Sequence, residues 1–565
     1  MQKFVKIRVS AISSLLSLSI GVYVIGLNQI WFSNSEWLTN RSLHVDAKSA
    51  QISWNFFRHT KILQFPVTKN QNFGFGSETL FQTSAGSPFL GVPLKFFDFL
   101  LPQNFQYIGL WLALCFLLQG YFSSKIISLK SNSSELIIVG SLFFTLAPIF
   151  IHRVGIMGQL DMGAHWILLA ALYLYFLPDF SIYRWSLTNF AALFLGPYLA
   201  VMVFGIFFSS IIKNNIQNQF TFRRNIPLIV LPTAAFAAAF FVLGYHTYGG
   251  QSLGPGFFRL NLGAFFYPVV SHSSVSYAMA SRLLGGLETI TSRPFIAYEG
   301  EGFNFVGLGM VVFSPFLLLF VFRMRRSLHW SMHLPILAIS LLFLFFAFSN
   351  QLAIGRREVI LPSFDVLENV RSIFRSATRF AWPATYLFLT YGLFAIVSMF
   401  KRRTAGLLLV SILFLQLYDS TPLYKDAKRV FHDEEQGELL NSDFWQIIGN
   451  KSENLVLYPT FDYVSDGKTS DQEYFFEDLR WLQLVQFASV YGLRTNFVFS
   501  GRPMIDYIDL KNSQTLTEFS RNVFTENSIY IIKDETLWRS LQARNTNQNR
   551  MHFYFVDGYY LLLTD

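Results

Sequence analysis

Charge is scarce in this sequence: 14% of its 565 residues are Asp, Glu, Lys or Arg, against roughly 25% in an ordinary soluble domain. There is one cysteine, Cys115, inside an apolar run. That excludes a disulfide framework, a cysteine-based zinc site and a Cys-X-X-Cys redox motif. Internal repeats and low-complexity tracts are missing as well. What is abundant is apolar surface: 52% hydrophobic residues, among them 64 Phe, 25 Tyr and 11 Trp, with a mean hydropathy of +0.36. Such a chain is neither a soluble single-domain enzyme nor disordered. It reads as a polytopic α-helical membrane protein.

The formal charge of +9 divides unevenly. Residues 421–565 hold 14 basic against 21 acidic side chains, and residues 1–420 hold 30 against 14. Nucleic-acid binding wants basic residues clustered on a soluble face, and here the soluble part is the acidic one, so nucleic acid is excluded as a partner. The basic excess belongs to the membrane part, where it sets orientation and is available to hold an anion.

A short basic start, residues 1–8, precedes an apolar stretch at 11–31, read as an uncleaved first span with a cytoplasmic N-terminus. Further apolar runs lie at about 107–124, 135–151, 162–177, 188–212, 226–245, 303–322, 332–349, 380–400 and 404–419. Strict alternation would place Lys213, Arg223, Arg224, Arg323, Arg325, Arg326 and the Lys401-Arg402-Arg403 cluster outside, against the positive-inside rule. A break of 188–212 at Gly196-Pro197 removes the conflict, because proline interrupts the helical ladder and broken helices are tolerated where they line a cavity. The expectation is about 11 membrane segments in residues 1–420, with external loops at 32–105, 246–302 and 350–379. Residues 421–565 follow as an external soluble domain. Strand-like runs at 455–458, 528–532, 552–556 and 559–563, and a helical run at 471–491, mark that tail as a small α/β domain.

The first loop carries His44-Val45-Asp46, Trp54-Asn55-Phe56-Phe57-Arg58-His59, Phe65-Pro66 and Asn72-Phe73-Gly74-Phe75-Gly76. A carboxylate just outside a span can deprotonate an acceptor hydroxyl, and aromatics such as Trp54 can stack on a sugar. The plainer alternative makes Asp46 one solvated loop acid among Glu36, Glu78 and Asp98.

These elements, with Gly158-Gln159-Leu160-Asp161-Met162-Gly163-Ala164-His165-Trp166, Pro197-Tyr198-Leu199, Glu301-Gly302-Phe303 and Arg375-Ser376-Ala377-Thr378-Arg379-Phe380, resemble the GT-C superfamily of integral-membrane glycosyltransferases. Within it they look most like a bacterial branch of uncharacterised membrane proteins. The resemblance implies transfer of a sugar from a polyprenyl-phosphate carrier to a glycan, lipid or protein acceptor on the external face of the cytoplasmic membrane, with Asp46 as the base. One departure stands out: related sequences carry an acid just before the Ser-x-Pro leading into the second span, whereas here the stretch is Thr83-Ser84-Ala85-Gly86-Ser87-Pro88.

Arg371, Arg375 and Arg379 recur every four residues, so a helix would stack them on one face. Between them an anion such as a phosphate relieves the like-charge repulsion; snorkelling arginines at a helix end are the alternative. His152, Arg153, Gln159, Asp161 and His165 cluster at the outer end of the third span as candidate donor or sugar contacts. Asp161 and His165 have i, i+4 spacing, read as a hydrogen bond orienting the helix rather than a metal pair. Glu299 and Glu301 either contact the acceptor or pair with Arg293. No cofactor motif is present; a divalent metal is compatible with the sequence but unsupported by it. The rival readings are a transporter or lipid flippase, against which the lack of inverted repeats and the acidic tail both stand, and a non-catalytic scaffold for envelope polysaccharide assembly.

Overall fold

A computed structural model describes the chain except residues 1, 41, 76, 78, 218–221, 248–259, 267–279, 285–301, 325–328, 355–356, 363–369, 371–372, 375, 434–439, 461–471, 500–504 and 546–549. Most of the described chain is helical. Five helices are long and apolar enough to cross a membrane: Ile7–Ile25, Ile108–Ile127, Pro197–Ile216, Trp330–Ala347 and Ala377–Met399. The number rises to seven if two bent pairs each count as one span: Ser134–Thr145 with Pro148–Ile156, and Arg402–Asp419 with Thr421–His432. Shorter apolar helices run over Asp161–Phe176, Ile226–Val242 and Leu308–Arg323.

The first helix, Gln2–Ile25, packs along Ile108–Ile127. Its buried serines, Ser10, Ser13, Ser14 and Ser17, form a narrow seam that lets the two backbones approach. The hydroxyl of Ser17 donates to the carbonyl of Phe116 at 2.5 Å and lies 2.9 Å from Thr145 Oγ1, tying a third helix to the pair. The break expected at Gly196-Pro197 is present: Ile182–Leu195 ends at Gly196, and Pro197 opens the next helix. Gly196 sits at φ 130°, where any side chain would be strained, and a Cβ there would press on Met162 and Asp161.

The segment expected as a plain external loop at 350–379 contains an antiparallel hairpin, β1 (Gln351–Ile354) and β2 (Arg357–Ile360). The tail holds a five-stranded sheet built from β3 (Asn454–Tyr458), β4 (Arg494–Thr495), β5 (Ser528–Ile532), β6 (Met551–Val556) and β7 (Tyr559–Thr564), in the order β4-β3-β5-β7-β6. Strands β3, β4 and β5 are parallel, and β7 runs antiparallel to β5 and β6. Side chains alternate between two cores as the pleat demands. Leu455, Leu457, Ile529, Ile531 and Leu561 face Trp481, Leu484, Val485 and Ala488. Val456, Tyr530, Ile532 and Leu562 face Phe519, Trp538 and Leu541.

Residues 421–432, expected at the start of the soluble tail, pack elsewhere. The helix Thr421–His432 buries Leu423, Ala427, Val430 and Phe431 in the membrane-part core. The α/β body begins beyond it, with Asp443–Gly449.

The first loop inserts into that body. Ile52, Phe56 and Phe73 belong to the core under the sheet. Phe73 makes a parallel bridge with Thr495 of β4. The amides of Gly74 and Phe75 each donate to Thr495 O at 2.9 Å, and the amide of Thr495 donates to Asn72 O at 3.0 Å. Residues Asn72–Phe75 therefore dock on the sheet edge. Gly74 has φ 75°, and a Cβ there would meet Val498 at 2.8 Å.

Candidate functional site

The site is built on the first-loop helix Val45–Arg58. His44 caps it, its Nδ1 accepting from the amide of Asp46 at 3.1 Å. An acid in the first turn suits the positive end of the helix dipole, a structural role for Asp46 that stands beside any catalytic one. The helix has two buried faces: Ala47, Ala50, Trp54 and Phe57 face the membrane part, and Ile52 and Phe56 face the α/β body. It is thus clamped between the two, with Asp46 at its N-terminal end.

Asp46 meets the third-span segment directly. Its Oδ2 accepts from Gln159 Nε2 at 3.0 Å, and Gln159 Oε1 accepts from Arg153 Nη1 at 2.9 Å. Gly158, at φ 54°, lets this segment pass against Ala47 of the helix. Arg153 belongs to a π-helical turn, His152–Ile156, a local widening that often marks functional sites. Its guanidinium is fully buried and lies 5.4 Å from the ring centre of Trp382. His152 stacks on Phe303 with ring centres 4.5 Å apart.

Trp382 joins two groups. The His165 ring lies 4.3 Å from it, and His165 Nδ1 is 2.5 Å from Tyr386 Oη. The expected Asp161–His165 hydrogen bond is therefore not the one formed. Asp161 instead lies beside Ser87 and the Gly196 break. A carboxylate at the start of the helix Asp161–Phe176 thus sits next to Ser87-Pro88, the stretch that lacks an acid of its own. Arg379 lays its guanidinium over the Tyr198 ring at 4.9 Å, and Tyr198 Oη accepts from the amide of Ser376 at 2.9 Å. Arg371, Arg375, Glu299 and Glu301 lie outside the described residues.

Trp54 is not presented to a substrate. It has no exposed surface and is wedged among Phe57, Phe81, Phe105 and Tyr107. Asp98 is no solvated loop acid either: its Oδ1 accepts from Arg58 Nε at 2.6 Å, while Arg58 Nη1 bonds the carbonyls of Pro102 and Gln103. Burial pushes the neighbouring His59 below its usual value, helped by Arg58 and opposed by Asp98. Lys48 is buried too, two positions along the same helix from Asp46, and desolvation lowers its amine to about 8. Glu78 lies outside the described residues.

Trp382 and Tyr386 are site residues that sequence reasoning did not single out, and Tyr198 entered it only as part of the motif Pro197-Tyr198-Leu199. Trp382 stands three positions beyond Arg379 and Tyr386 one turn further, and that spacing is the signal that could have placed both beside the arginine row. Among the described residues no group of three or more His, Cys, Asp or Glu is placed to hold a metal ion.

The sequence itself matches the family described as Domain of unknown function (DUF6311) over residues 14–421. The chain belongs to this family. The tail of this DUF6311 protein matches the DUF6311 C-terminal domain over residues 444–564, and no curated protein matches. Among solved structures, the DUF6311 chain is similar to ArnT from Cupriavidus metallidurans, at 10% identity over 97% of each chain with a TM-score of 0.46. It is similar also to the Archaeoglobus fulgidus oligosaccharyltransferase with Zn and sulfate, at 12% identity over 98% of this chain and 73% of that one, with a TM-score of 0.44. The same archaeal protein with an inhibitory peptide and a dolichol-phosphate gives 11% identity over 98% and 74%, with a TM-score of 0.39. At these identities and TM-scores the likenesses carry no function over to the chain.

Proposed function

We propose that this DUF6311 protein is a membrane glycosyltransferase that moves a sugar from a polyprenyl-phosphate donor to a hydroxyl of a glycan, lipid or protein acceptor on the external face. In this reading the shorter helices complete about 11 membrane segments in the cytoplasmic membrane, the N-terminus is cytoplasmic, and the α/β body lies outside. Asp46 takes the proton from the acceptor hydroxyl as its oxygen attacks the anomeric carbon. The bond from that carbon to the carrier phosphate breaks, and the phosphate leaves with the electron pair. Arg153, with Arg379 as a second cation, is the group to receive that charge, since guanidinium matches a phosphate bidentately.

The observation that carries the reading is the Gln159 bridge from Asp46 to Arg153. A base and an anion-binding cation in direct contact would neutralise each other. A neutral amide between them orients both without joining them in an ion pair. The motif resemblance supports the same chemistry independently. The scaffold reading keeps one point in its favour, the missing acid in the stretch Thr83–Pro88 that leads into the second span, though Asp161 supplies a carboxylate beside Ser87.

The test is direct transfer. Purified protein in lipid is given labelled polyprenyl-phosphate sugars and an envelope acceptor fraction. Label appearing in the acceptor, dependent on the protein, supports the reading. Carrier-linked label that crosses the bilayer without transfer supports a flippase, and the absence of both transfer and crossing supports a scaffold.

A further inference from the structure

A second polar centre lies away from Asp46, where the two bent spans meet. Ser134–Thr145 bends by 47° into Pro148–Ile156, and Arg402–Asp419 bends by 58° into Thr421–His432. The carbonyl of Leu146, at the first bend, accepts from Gln416 Nε2 at 3.2 Å and from Tyr424 Oη at 2.8 Å, one residue on each side of the second bend. Both breaks therefore converge on one point of the core.

Gln416, Asp419 and Ser420 recur at i, i+3 and i+4, so they share one face of their helix end, and none of the three has exposed surface. A stretch of the second external loop covers them. Asp419 Oδ1 accepts from Ser281 Oγ at 2.5 Å and from the amide of Leu283 at 3.0 Å, and its main-chain oxygen accepts from the amide of Arg282 at 2.7 Å. That leaves Asp419 Oδ2, Gln416 Oε1 and Ser420 Oγ, each buried near the Tyr424 hydroxyl and without a well-formed hydrogen bond among the described residues. Turning the Gln416 amide over would set its oxygen against the Leu146 carbonyl oxygen, two acceptors at the 3.2 Å now spanned by a hydrogen bond.

Three such oxygens are expensive. An unsatisfied buried acceptor costs roughly 1–3 kcal/mol and a charged one more. The neighbouring cation, Arg282, does not offset the charge: its guanidinium lies over the Tyr418 ring at 4.8 Å, and among the described residues no ion pair reaches Asp419. Oxygen acceptors in excess, one net negative charge and broken helix ends are the composition of a hard-cation site.

We propose that the free side-chain oxygens of Gln416, Asp419 and Ser420 at this junction bind a hard, oxygen-liganded metal cation, sodium or calcium. The site stands whether or not Asp46 is a base. By holding Asp419 it ties residues 280–284 to the bundle. It also fixes the helix Thr421–His432, whose Ala427 packs on Gly155 within the turn that carries Arg153.

The full-length protein in detergent, stripped with EDTA and desalted into choline chloride, is the material for the test. Thermal unfolding is followed by tryptophan fluorescence while calcium chloride or sodium chloride replaces choline chloride at constant ionic strength. One of the two must raise the Tm by several degrees with a saturable midpoint. Asp419→Asn must abolish that rise, and Gln416→Glu, adding a charged ligand, must lower the midpoint by roughly tenfold. If Asp419→Asn does not fold, Ser420→Ala takes its place and must raise the midpoint. A wild-type Tm indifferent to both cations, or a midpoint unchanged in these variants, overturns the proposal and leaves the junction to a buried water.

Discussion

Asp46 and Arg153 are linked through a single neutral side chain, with Gln159 donating to the carboxylate at 3.0 Å and accepting from the guanidinium at 2.9 Å. The link joins a loop helix to a π-helical turn more than a hundred positions along the chain. It sets the electrostatics of the site, because any charge placed at position 159 falls between a carboxylate and a guanidinium.

Gln159→Glu puts a second carboxylate at hydrogen-bond distance from Asp46. Two carboxylates that close share a proton, so one of them is held protonated to higher pH. The acid limb of the pH profile of kcat/KM should move up by about one unit or more. An unmoved limb would show that Asp46 does not titrate in the reaction.

The first loop should depend on the α/β body for its position. Phe73 lies between Phe56 at 5.0 Å and Phe497 at 6.1 Å, so Phe73→Ala opens a cavity costing about 3–5 kcal/mol. Gly74→Val adds strain at positive φ. Both variants should expose the first loop to protease before the membrane helices are cut and should reduce kcat through misplacement of Asp46. Protection equal to wild type in both would mean that the docking contributes nothing to loop order.

Buried Lys48 gives a pH test of stability. Its amine, lowered from 10.5 to about 8 by desolvation, holds its proton less well folded than unfolded. The unfolded chain therefore binds more protons between these values, and stability rises as pH climbs from about 8 towards 10.5, with the penalty in full below 8. Lys95, also lowered to about 8 by burial, acts with the same sign, so the comparison is between wild type and Lys48→Met. The variant should have the higher Tm at about pH 7 and a flatter rise above about pH 8. An equal pH slope would mean that the amine is hydrated in the folded protein.

Local signals make much of this architecture legible. Four of the sheet's five strands follow short, nearly continuous apolar runs at 455–458, 528–532, 552–556 and 559–563, as strands buried on both faces do. The helix break at Gly196 is visible in the following proline and in the charge distribution of the loops. Asp46, Arg153 and Gln159 stand out as polar residues next to spans, but their bridge does not, because it depends on a tertiary contact between segments far apart in the chain. The docking of Asn72–Phe75 on Thr495 is hidden for the same reason: a lone strand pairing carries no periodicity. Trp54 shows the converse error. An aromatic among aromatics looks like a sugar platform in sequence, and only its burial among Phe81, Phe105 and Tyr107 reveals a core residue. The helix Thr421–His432 reads with the tail in sequence because its charged residues mask an apolar stripe of Leu423, Ala427, Val430 and Phe431.

The central claim is that Asp46 is the base, and Asp46→Asn tests it most directly because it keeps size and polarity while removing the basic oxygen. The measurement is the transfer rate of labelled sugar from a polyprenyl-phosphate donor, taken with donor binding on the same preparation. General-base catalysis is worth roughly 10²–10⁴ in rate, so turnover should fall by about that factor while donor binding stays close to wild type. Near-normal transfer by a folded, donor-binding Asp46→Asn protein would contradict the account.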